Sequence, residues 1–394
     1  MGALLLVISG LASGQVVLGD ERMELYLPLI EGRSVGVVCN HTAVVGGVHL
    51  VDTLRRAGVE VRAVFAPEHG FRGKAAAGAH IENGVDPDRG LNVFSLYGKT
   101  RKPTAQMLEG LDVIVFDIAD VGVRFYTYLS TLHYVMEAAA EHHLKVIVLD
   151  RPNPNGAMTD GPILDTAFRS FVGMHPLPMA HGMTLGELAE MINGEGWLNN
   201  GVDHEPLRCD LSVIGCENWH RMQPWPLPIA PSPNLPNANA IALYPSLCLF
   251  EATVASIGRG TDRPFECVGY PGFPYGTFHF TPSPCEAAPN PKHESVLCSG
   301  QLLAPTAAET TAAAKDQLEL GRLIDYRRAW EHGRDTSKAG PFINRPGFFD
   351  KLAGTSVLRL QIESGMSMDA IRESWATGLA DFKMQRAPYL RYPD

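Results

Sequence analysis

The sequence predicts an α/β fold, with a Rossmann-like parallel-sheet domain followed by a smaller C-terminal domain of mixed α+β structure. In the first 150 residues, short runs of β-branched and aromatic residues alternate with helical patterns. Such alternation is typical of βαβ units, whose right-handed crossovers build a parallel sheet. Residues 224–236 contain six prolines, which indicates a stiff, extended connector. We therefore place a Rossmann-like catalytic domain at 21–230 and a C-terminal domain, which completes the cleft, at 231–394.

Each predicted element has a local signal. Apolar β-branched runs bounded by turn residues predict strands, and apolar residues at helical spacing that end at a glycine predict helices. In chain order these are a strand at 34–39, a helix at 48–57, strands at 61–65 and 91–96, a helix at 104–109, a strand at 112–116, a helix at 126–143 and a strand at 145–149. Residues 184–193 then open with Thr184 and Glu187 in the spacing of a capping box. Two further helices are predicted at 308–332 and 367–385.

Composition and motif searches argue against several classes of function. The 394 residues are 45% hydrophobic and 19% charged, as in ordinary globular proteins. A formal net charge of −10 argues against a nucleic-acid partner, which would require basic surfaces. The loop after the first predicted strand lacks the G-x-G-x-x-G pattern, so neither a dinucleotide nor any other cofactor is predicted.

The N-terminus and the cysteines bear on the location of the protein. Residues 3–11 are apolar and precede small residues that resemble a cleavage site, but no Lys or Arg stands before them. A signal or leader segment at 1–20 predicts a periplasmic or secreted protein, whereas a first element of the mature fold predicts a cytoplasmic one. No segment is long and apolar enough for stable membrane insertion. The seven cysteines include no C-x-x-C pair, which argues against zinc. Cys39 is predicted to be a buried core residue, and pairing among the later cysteines stays open.

Acidic side chains follow two of the predicted strands. Glu68 and His69 come after the strand at 61–65, and Asp117 and Asp120 follow the strand at 112–116. Because the carboxyl ends of parallel strands share the edge where ligands bind, we predict that these residues meet there in acid/base catalysis. Arg124 is predicted to lie beside the aspartates and keep them ionised. The alternatives are a capping role for Glu68 and an internal Asp–Arg pair that only holds the turn.

Polar loops around this edge are candidates for substrate binding. Asn side chains on proline-stiffened loops suit amide and hydroxyl groups, and an arginine can clamp a carboxylate in bidentate fashion. The candidates are Asn40, Arg124, Tyr126, Arg151, Asn153, Asn155, His181, Ser232, Asn234, Glu251 and Arg259. His41, His69 and His181 lack the spacing of a metal site, and no metal is predicted. A Mg²⁺ or Ca²⁺ site made by Glu68, Asp117 and Asp120 is the alternative.

Seven blocks in one order along the chain resemble the bacterial exo-β-N-acetylmuramidase family. They are PEHGFRG (67–73), FDIADVGVRFYTY (116–128), LDRPNPNG (149–156), SFVG (170–173), HGMTLGELA (181–189), PSPNLP (231–236) and GRGTDRPFE (258–266). The resemblance implies a Rossmann-like domain, a smaller C-terminal domain and an active site in the cleft between them. It also implies a glycosidase that releases terminal N-acetylmuramic acid from the non-reducing end of peptidoglycan fragments, such as the disaccharide MurNAc-GlcNAc.

For individual residues, the resemblance implies that Glu68 is the catalytic acid, with His69 beside it. The residues that it places along the sugar site are Asp117, Asp120, Arg124 and Tyr126. The chain departs from the family pattern at Ala119, where Gln is usual, and at 252–257, where Gly and Glu are usual. A non-catalytic muropeptide-binding protein and a metal-dependent hydrolase are therefore kept as alternatives. The choice among retaining, inverting and substrate-assisted chemistry stays open, as do the preferred fragment length and the oligomeric state.

Overall fold

The computed structural model describes residues 14–79, 83–86, 89–198, 205–303, 317–332 and 340–394. In chain order, its strands are β1 (Ser34–Cys39), β2 (Val44–Val45), β3 (Val48–His49), β4 (Glu60–Ala66), β5 (Gly84–Asp86), β6 (Leu91–Ser95), β7 (Val113–Asp117), β8 (Lys145–Leu149), β9 (Thr159–Asp160), β10 (Ala180–His181), β11 (Asp210–Ile214), β12 (Cys267–Tyr270), β13 (Phe278–Phe280) and β14 (Cys298–Leu302). Its α-helices are α1 (Met23–Ile30), α2 (Leu50–Arg56), α3 (Ala105–Leu108), α4 (Tyr128–Glu141), α5 (Leu185–Gly194), α6 (Ala238–Leu247), α7 (Gly321–His332), α8 (Pro346–Ala353), α9 (Val357–Glu363) and α10 (Met368–Arg386). Short 3₁₀ turns occupy Gly19–Glu21, Thr166–Phe168, Cys248–Ala252 and Ala387–Tyr389.

Seven of the described strands form one sheet, in the order β11-β8-β7-β1-β4-β6-β5. Neighbouring strands are parallel except for β5, which pairs antiparallel with β6 at the edge. From the central β1 the chain winds first toward β4 and β6, and then returns to the other side through β7, β8 and β11. This is the doubly wound order, in which ligands bind at the carboxyl ends of the strands beside the switch point. The predicted α/β fold with a Rossmann-like domain is confirmed.

The central strands form because their apolar runs are buried on both faces. Every residue of β7 is buried, as is every residue of β1 after Ser34. One face packs against α4 and α5, with Leu132 and Leu188 in that core, and the other packs against α1 and α2, with Tyr26 and Leu54. A parallel sheet covered on both faces has continuous apolar strands, which is why these strands were recognisable in the sequence.

Some predicted elements differ from the observed ones. The helix predicted at 48–57 begins at Leu50, because Val48–His49 pairs with Val44–Val45 in a small hairpin. The capping box of Thr184 and Glu187 is confirmed at the start of α5. The helix predicted at 308–332 falls partly outside the described residues, and its described part is α7. All seven cysteines are free thiols, and Cys39 is fully buried, as predicted.

The C-terminal part packs closely on the sheet domain. It contains the antiparallel sheet β12-β14-β13 and most of the later helices. Helix α10 and the tail return to the first domain, where Arg386 donates to the His181 carbonyl over 2.8 Å and the Tyr392 hydroxyl donates to Asp150 over 2.6 Å. The proline-rich connector has neither helix nor strand. Among the described residues, no helix has the length and apolar character needed to cross a bilayer.

The end of the predicted leader segment belongs to the folded domain. Residues 1–13 lie outside the described residues. Val17 forms an antiparallel bridge with Glu217, and the Gly19 amide donates to the Asp150 carbonyl over 3.0 Å. Asp20 is fully buried. The last residues of the predicted segment at 1–20 are therefore part of the folded domain.

Candidate active site

The loops that follow β1, β4 and β7 meet at the switch point of the sheet. Asn40, directly after β1, donates from Nδ2 to the Tyr128 hydroxyl over 3.1 Å. That hydroxyl donates to the Pro231 carbonyl, also over 3.1 Å. The Thr42 hydroxyl accepts a 3.1 Å hydrogen bond from the Ala119 amide. The loops after β1 and β7 and the proline-rich connector are thus tied together at this edge.

Glu68 is half-buried at this edge, and the Thr127 hydroxyl and the Gly78 amide donate to its carboxylate. Oε2 accepts a 2.7 Å hydrogen bond from the Thr127 hydroxyl, and Oε1 accepts a 3.0 Å bond from the Gly78 amide. Burial raises the pKa of Tyr97, and the charge and hydrogen bonding of the neighbouring Glu68 raise it further. A carboxylate that is both held and open to solvent meets the positional requirement of general acid/base catalysis. The Gly78 contact also holds the following loop in place. This is the capping role that was the alternative interpretation of Glu68.

His69 lies next to Glu68 with a left-handed backbone φ of 70°. Its Nδ1 is 2.7 Å from the Ala75 carbonyl, so Nδ1 carries the proton and Nε2 is the acceptor. Burial lowers the pKa of His69; Glu68 opposes this shift, whereas Arg259 and His41 add to it. The imidazole is therefore mainly neutral at pH 7 and offers a lone pair to a ligand.

Asp117 is fully buried in a salt-bridge network. Arg151 donates to both of its carboxylate oxygens, from Nε and, over 2.9 Å, from Nη2. The same Nη2 lies 2.5 Å from Oδ2 of Asp20. Burial and the charge of Asp117 raise the pKa of Asp20 to about 7, against the opposing effect of Arg151. Asp117 and Arg151, predicted as catalytic and substrate-binding residues, thus engage each other inside the domain.

Asp120 is a buried acid that has no ion-pair partner among the described residues. Its Oδ2 accepts a 2.7 Å hydrogen bond from the Gly122 amide, and its Oδ1 has no hydrogen-bond partner there. With Arg151 and Asn153 it lines a cavity of about 10 Å³, which has room for one water molecule. Burial raises the pKa of Asp120 to about 7, against the effect of the Gly122 and Val121 amides. Asp120 can therefore exchange a proton near neutral pH.

The prediction that Arg124 lies beside the two aspartates is wrong. Its amide donates to the Met179 carbonyl over 2.8 Å, and among the described residues its guanidinium bonds only to backbone carbonyls. These carbonyls belong to Pro162, Leu177 and Leu352. Burial lowers the pKa of Arg124 to about 9. Pairing of this segment with the chain near Met179 directs the side chain toward α8, so Arg124 does not keep Asp120 ionised.

Several candidates for substrate binding are engaged in contacts that hold the loops together. Three side-chain amides donate to backbone carbonyls over 2.7–2.9 Å, those of Asn153, Asn155 and Asn234. His181 is fully buried, and burial together with three nearby arginines lowers its pKa to about 3. Tyr126 and Ser232 are buried next to each other. These side chains contact other parts of the protein and so support the loops of the site.

Glu251 and Arg259 form an ion pair on the C-terminal side of the site. Arg259 Nη2 is 2.6 Å from Oε1 of Glu251, and the guanidinium covers the Phe265 ring at 4.9 Å. The charge of Arg259 contributes to the lowered pKa of His69, although burial is the larger cause. Arg259 therefore reaches from the C-terminal domain toward the turn that carries His69.

The three carboxylates of the alternative metal site make separate contacts. Glu68 is bound by Thr127 and Gly78, whereas Asp117 is bound by Arg151. Among the residues that the structure describes, no three His, Cys, Asp or Glu side chains are grouped as metal ligands. The arrangement proposed for a metal-dependent hydrolase is thus not assembled by these residues.

Three residues that the sequence did not single out contact the predicted ones. Thr127 bonds to Glu68, Tyr97 lies beside the same carboxylate, and Asp20 completes the buried network of Arg151. Tyr97 follows a strand at the same sheet edge as Glu68, and this was a usable signal. Asp20 gave none, because it lies within the predicted leader segment.

Nearly the whole chain is similar to known proteins. Residues 35–239 match the family model described as exo-beta-N-acetylmuramidase NamZ, N-terminal, and residues 242–392 match the corresponding C-terminal model. The peptidoglycan beta-N-acetylmuramidase NamZ of Bacillus subtilis is 37% identical over 399 residues, which cover 95% of this chain and 90% of that protein. A DUF1343 family protein from Bacteroides fragilis, known as a crystal structure, is 41% identical with a TM-score of 0.85, covering 97% of this chain and 100% of the other. A second DUF1343 family structure from that organism is 29% identical with a TM-score of 0.80, and covers 96% and 99%.

Proposed function

Because this chain belongs to the exo-β-N-acetylmuramidase family, we propose that it releases terminal N-acetylmuramic acid from the non-reducing ends of peptidoglycan fragments, with Glu68 as general acid/base. The family and the class of enzyme, a glycosidase, are those predicted from the sequence motifs, and both are confirmed. Peptidoglycan-derived glycans are accordingly the substrates in general. The muropeptide MurNAc-GlcNAc is the specific substrate that we propose.

The position of Glu68 is the observation that carries this proposal. Its carboxylate stands at the switch point of a doubly wound sheet, half-exposed, and is held by Thr127 and Gly78. Neutral His69 is its neighbour. A fixed, accessible carboxyl group of this kind can protonate the oxygen of a glycosidic bond.

Asp120 is the second acid that we propose for the reaction. Most glycosidases use two carboxyl groups. Asp117 forms an ion pair with Arg151, and Glu251 forms one with Arg259. Asp120 has an oxygen without a partner among the described residues and a pKa raised by burial to about 7. A carboxyl group in this state can alternate between proton donor and acceptor at neutral pH.

We assign recognition of the acidic sugar to Arg259. N-acetylmuramic acid carries a lactyl carboxylate, which a guanidinium binds well. Nε and Nη2 of Arg259 contact Glu251, which leaves Nη1 for another acceptor. The charge of Arg259 contributes to the lowered pKa of His69, which supports this assignment.

A periplasmic or secreted location is part of the proposal, because peptidoglycan is found outside the cytoplasmic membrane. Residues 3–11 provide the apolar stretch of a signal segment. Fractionation of cells that express the full chain with a C-terminal tag tests the location. Tagged protein confined to the cytoplasm would contradict it.

The decisive experiment measures release of N-acetylmuramic acid from MurNAc-GlcNAc. We expect Glu68→Gln to lower turnover at least about a hundredfold, as is typical when a general acid/base is removed. The amide oxygen still accepts a hydrogen bond, so the fold should persist. Glu31→Gln is the matched control, since Glu31 is exposed at the opposite edge of the sheet. Full activity of the Glu68 variant refutes its role. A wild-type protein that binds the disaccharide without cleaving it favours the muropeptide-binding alternative.

A further inference from the structure

We propose that Arg101, Phe171 and Tyr97 form a subsite for the sugar on the leaving-group side of the cleaved bond, a pyranose that carries an acetamido group. This inference rests on the proposed function, because it takes Glu68 as the proton donor. Tyr97 and Arg101 come from the loop after β6, and Phe171 comes from the SFVG block at 170–173. The site described above gives the SFVG block no role.

Tyr97 connects this cluster to the catalytic acid. It lies two residues beyond β6, at the same sheet edge as Glu68, and its amide bonds to the Ser95 hydroxyl over 3.2 Å. The effect of Glu68 on the pKa of Tyr97 places the phenol beside the carboxylate. Tyr97 is only half-buried, so the residue is partly open to solvent.

Phe171 is a rigid support behind Tyr97. The two ring centroids are 5.9 Å apart, and the Tyr134 ring stacks on Phe171 at 6.2 Å with an interplanar angle of 15°. The Ser130 hydroxyl donates to the Phe171 carbonyl over 2.7 Å, which fixes the backbone to α4. Phe171 itself is buried, so it supports the subsite instead of offering a free face.

Arg101 is the group that this support presents to solvent. Its Cζ lies 4.5 Å over the Phe171 ring, and the residue is exposed. Within the described part of the chain it makes no ion pair, in contrast to Arg259, which is bound to Glu251. A guanidinium anchored over an aromatic ring presents five donors in the plane of the group, which suits hydroxyl and acetamido oxygens.

The exposure of Arg101 indicates which sugar it meets. An exo-acting enzyme encloses the terminal sugar, whereas the rest of the glycan leaves the site toward solvent. Two side chains, those of Phe171 and Tyr97, link Arg101 to Glu68. The cluster therefore lies beside the acid on a solvent-facing side, where the sugar after the cleaved bond emerges.

Two substrates separate this subsite from the catalytic step. MurNAc-GlcNAc has a sugar on the leaving-group side, and the chromogenic 4-nitrophenyl N-acetylmuramide has none. We expect Arg101→Ala to lower the ratio of kcat/KM on the disaccharide to kcat/KM on the chromogenic substrate about tenfold, the effect of one lost charged hydrogen bond. Arg33→Ala is the matched control, because Arg33 is exposed at the amino edge of β1. That variant should leave the ratio at its wild-type value.

An Arg101→Ala variant whose ratio equals that of the wild type would overturn the subsite, whether both rates stay high or fall together. Inactivity of the wild type on both substrates is a different result, which contradicts the proposed function itself. Inhibition by free N-acetylglucosamine gives a second measurement. We expect its inhibition constant to rise about tenfold in the Arg101 variant, and an unchanged constant would also overturn the subsite.

Discussion

The Thr127 hydroxyl donates a 2.7 Å hydrogen bond to Oε2 of Glu68, across 59 residues of sequence. Glu68 follows β4, whereas Thr127 directly precedes α4, a helix that is buried along most of its length. The side chain of Glu68, which lies on a loop, is thus held by the residue that precedes the buried helix α4. Hydrogen bonds to charged groups contribute about 1.5–3 kcal/mol, which is enough to decide how well the carboxylate is positioned.

We predict that Thr127→Val lowers kcat/KM on a chromogenic muramide about tenfold, mainly through kcat. The substitution keeps the shape of the side chain and removes the donor that orients Glu68, so substrate binding should change little. Thr127→Ser retains the hydroxyl and should restore most of the rate. Steady-state kinetics of both variants test this prediction. Equal rates for the Val and Ser variants would show that the hydrogen bond has no part in catalysis.

We predict that Asp120→Asn changes how stability depends on pH. Burial raises the pKa of Asp120 from 3.8 to about 7, so between these values the folded protein holds a proton that the unfolded chain has released. The stability that this acid contributes is therefore present at low pH and is lost as the pH rises from about 4 to 7. Relative to the Asn variant, the wild type should lose about 2 to 4 kcal/mol over this range.

Urea unfolding of both proteins at several pH values between about 4.5 and 7.5 measures this difference. Asp20 and Asp150 also have pKa values raised by burial into this range, but they titrate in both proteins and cancel in the comparison. If the free energies of unfolding of the two proteins changed in parallel with pH, Asp120 would be ionised over the whole pH range. It could then not be the second acid.

The sheet was predictable because its strands carry their own signal. β1 and β7 are continuous apolar runs, and their observed bounds differ from the predicted ones by at most one residue. β11 was not predicted, since it is an edge strand that begins with an exposed Asp210 and is only partly buried. Its place is decided by pairing with β8, a long-range contact that no local pattern reports.

The candidate site was predictable only where residues follow directly from strand ends. Glu68 and His69 belong to this class, because the end of β4 places them at the sheet edge. Which cation pairs with Asp117 could not be predicted in this way. Arg124 is near in sequence, yet Arg151 and Asp20 are the residues that close the ion network. Charge pairing depends on three-dimensional proximity, which spacing along the chain does not determine.

We predict that Arg151→Met destabilises the protein more than Asp20→Asn does. Loss of Arg151 leaves the carboxylates of Asp20 and Asp117 buried without a cation, and breaking a buried ion pair in this way costs about 3–5 kcal/mol. Asp20→Asn keeps the pair of Asp117 and Arg151 and should cost less. The urea midpoints of the two variants at neutral pH give the comparison. Equal losses would mean that the network stabilises the fold only by packing.

Lys292 organises the segment at 250–255, which includes Glu251. The nitrogen of its ammonium group lies 2.7–3.2 Å from four backbone carbonyl oxygens, those of Phe250, Glu251, Thr253 and Ala255, which share its three N–H donors. Burial lowers the pKa of Lys292 to about 8, so the group is still mainly charged at pH 7. One cation thus satisfies the carbonyls at the end of the 3₁₀ turn that carries Glu251.

We predict that Lys292→Met lowers both stability and activity. The carbonyls lose their donor, at a cost of about 2 to 4 kcal/mol, and the Glu251 backbone shifts together with its ion-pair partner Arg259. Since Arg259 is assigned to the lactyl carboxylate, KM for a muramide should rise severalfold while kcat changes less. Lys351→Met, at an exposed position on α8, is the matched control. A Lys292 variant that loses stability but keeps its KM would show that the contacts between Lys292 and the four carbonyls play no part in substrate recognition. The position of Arg259 would then depend on other contacts.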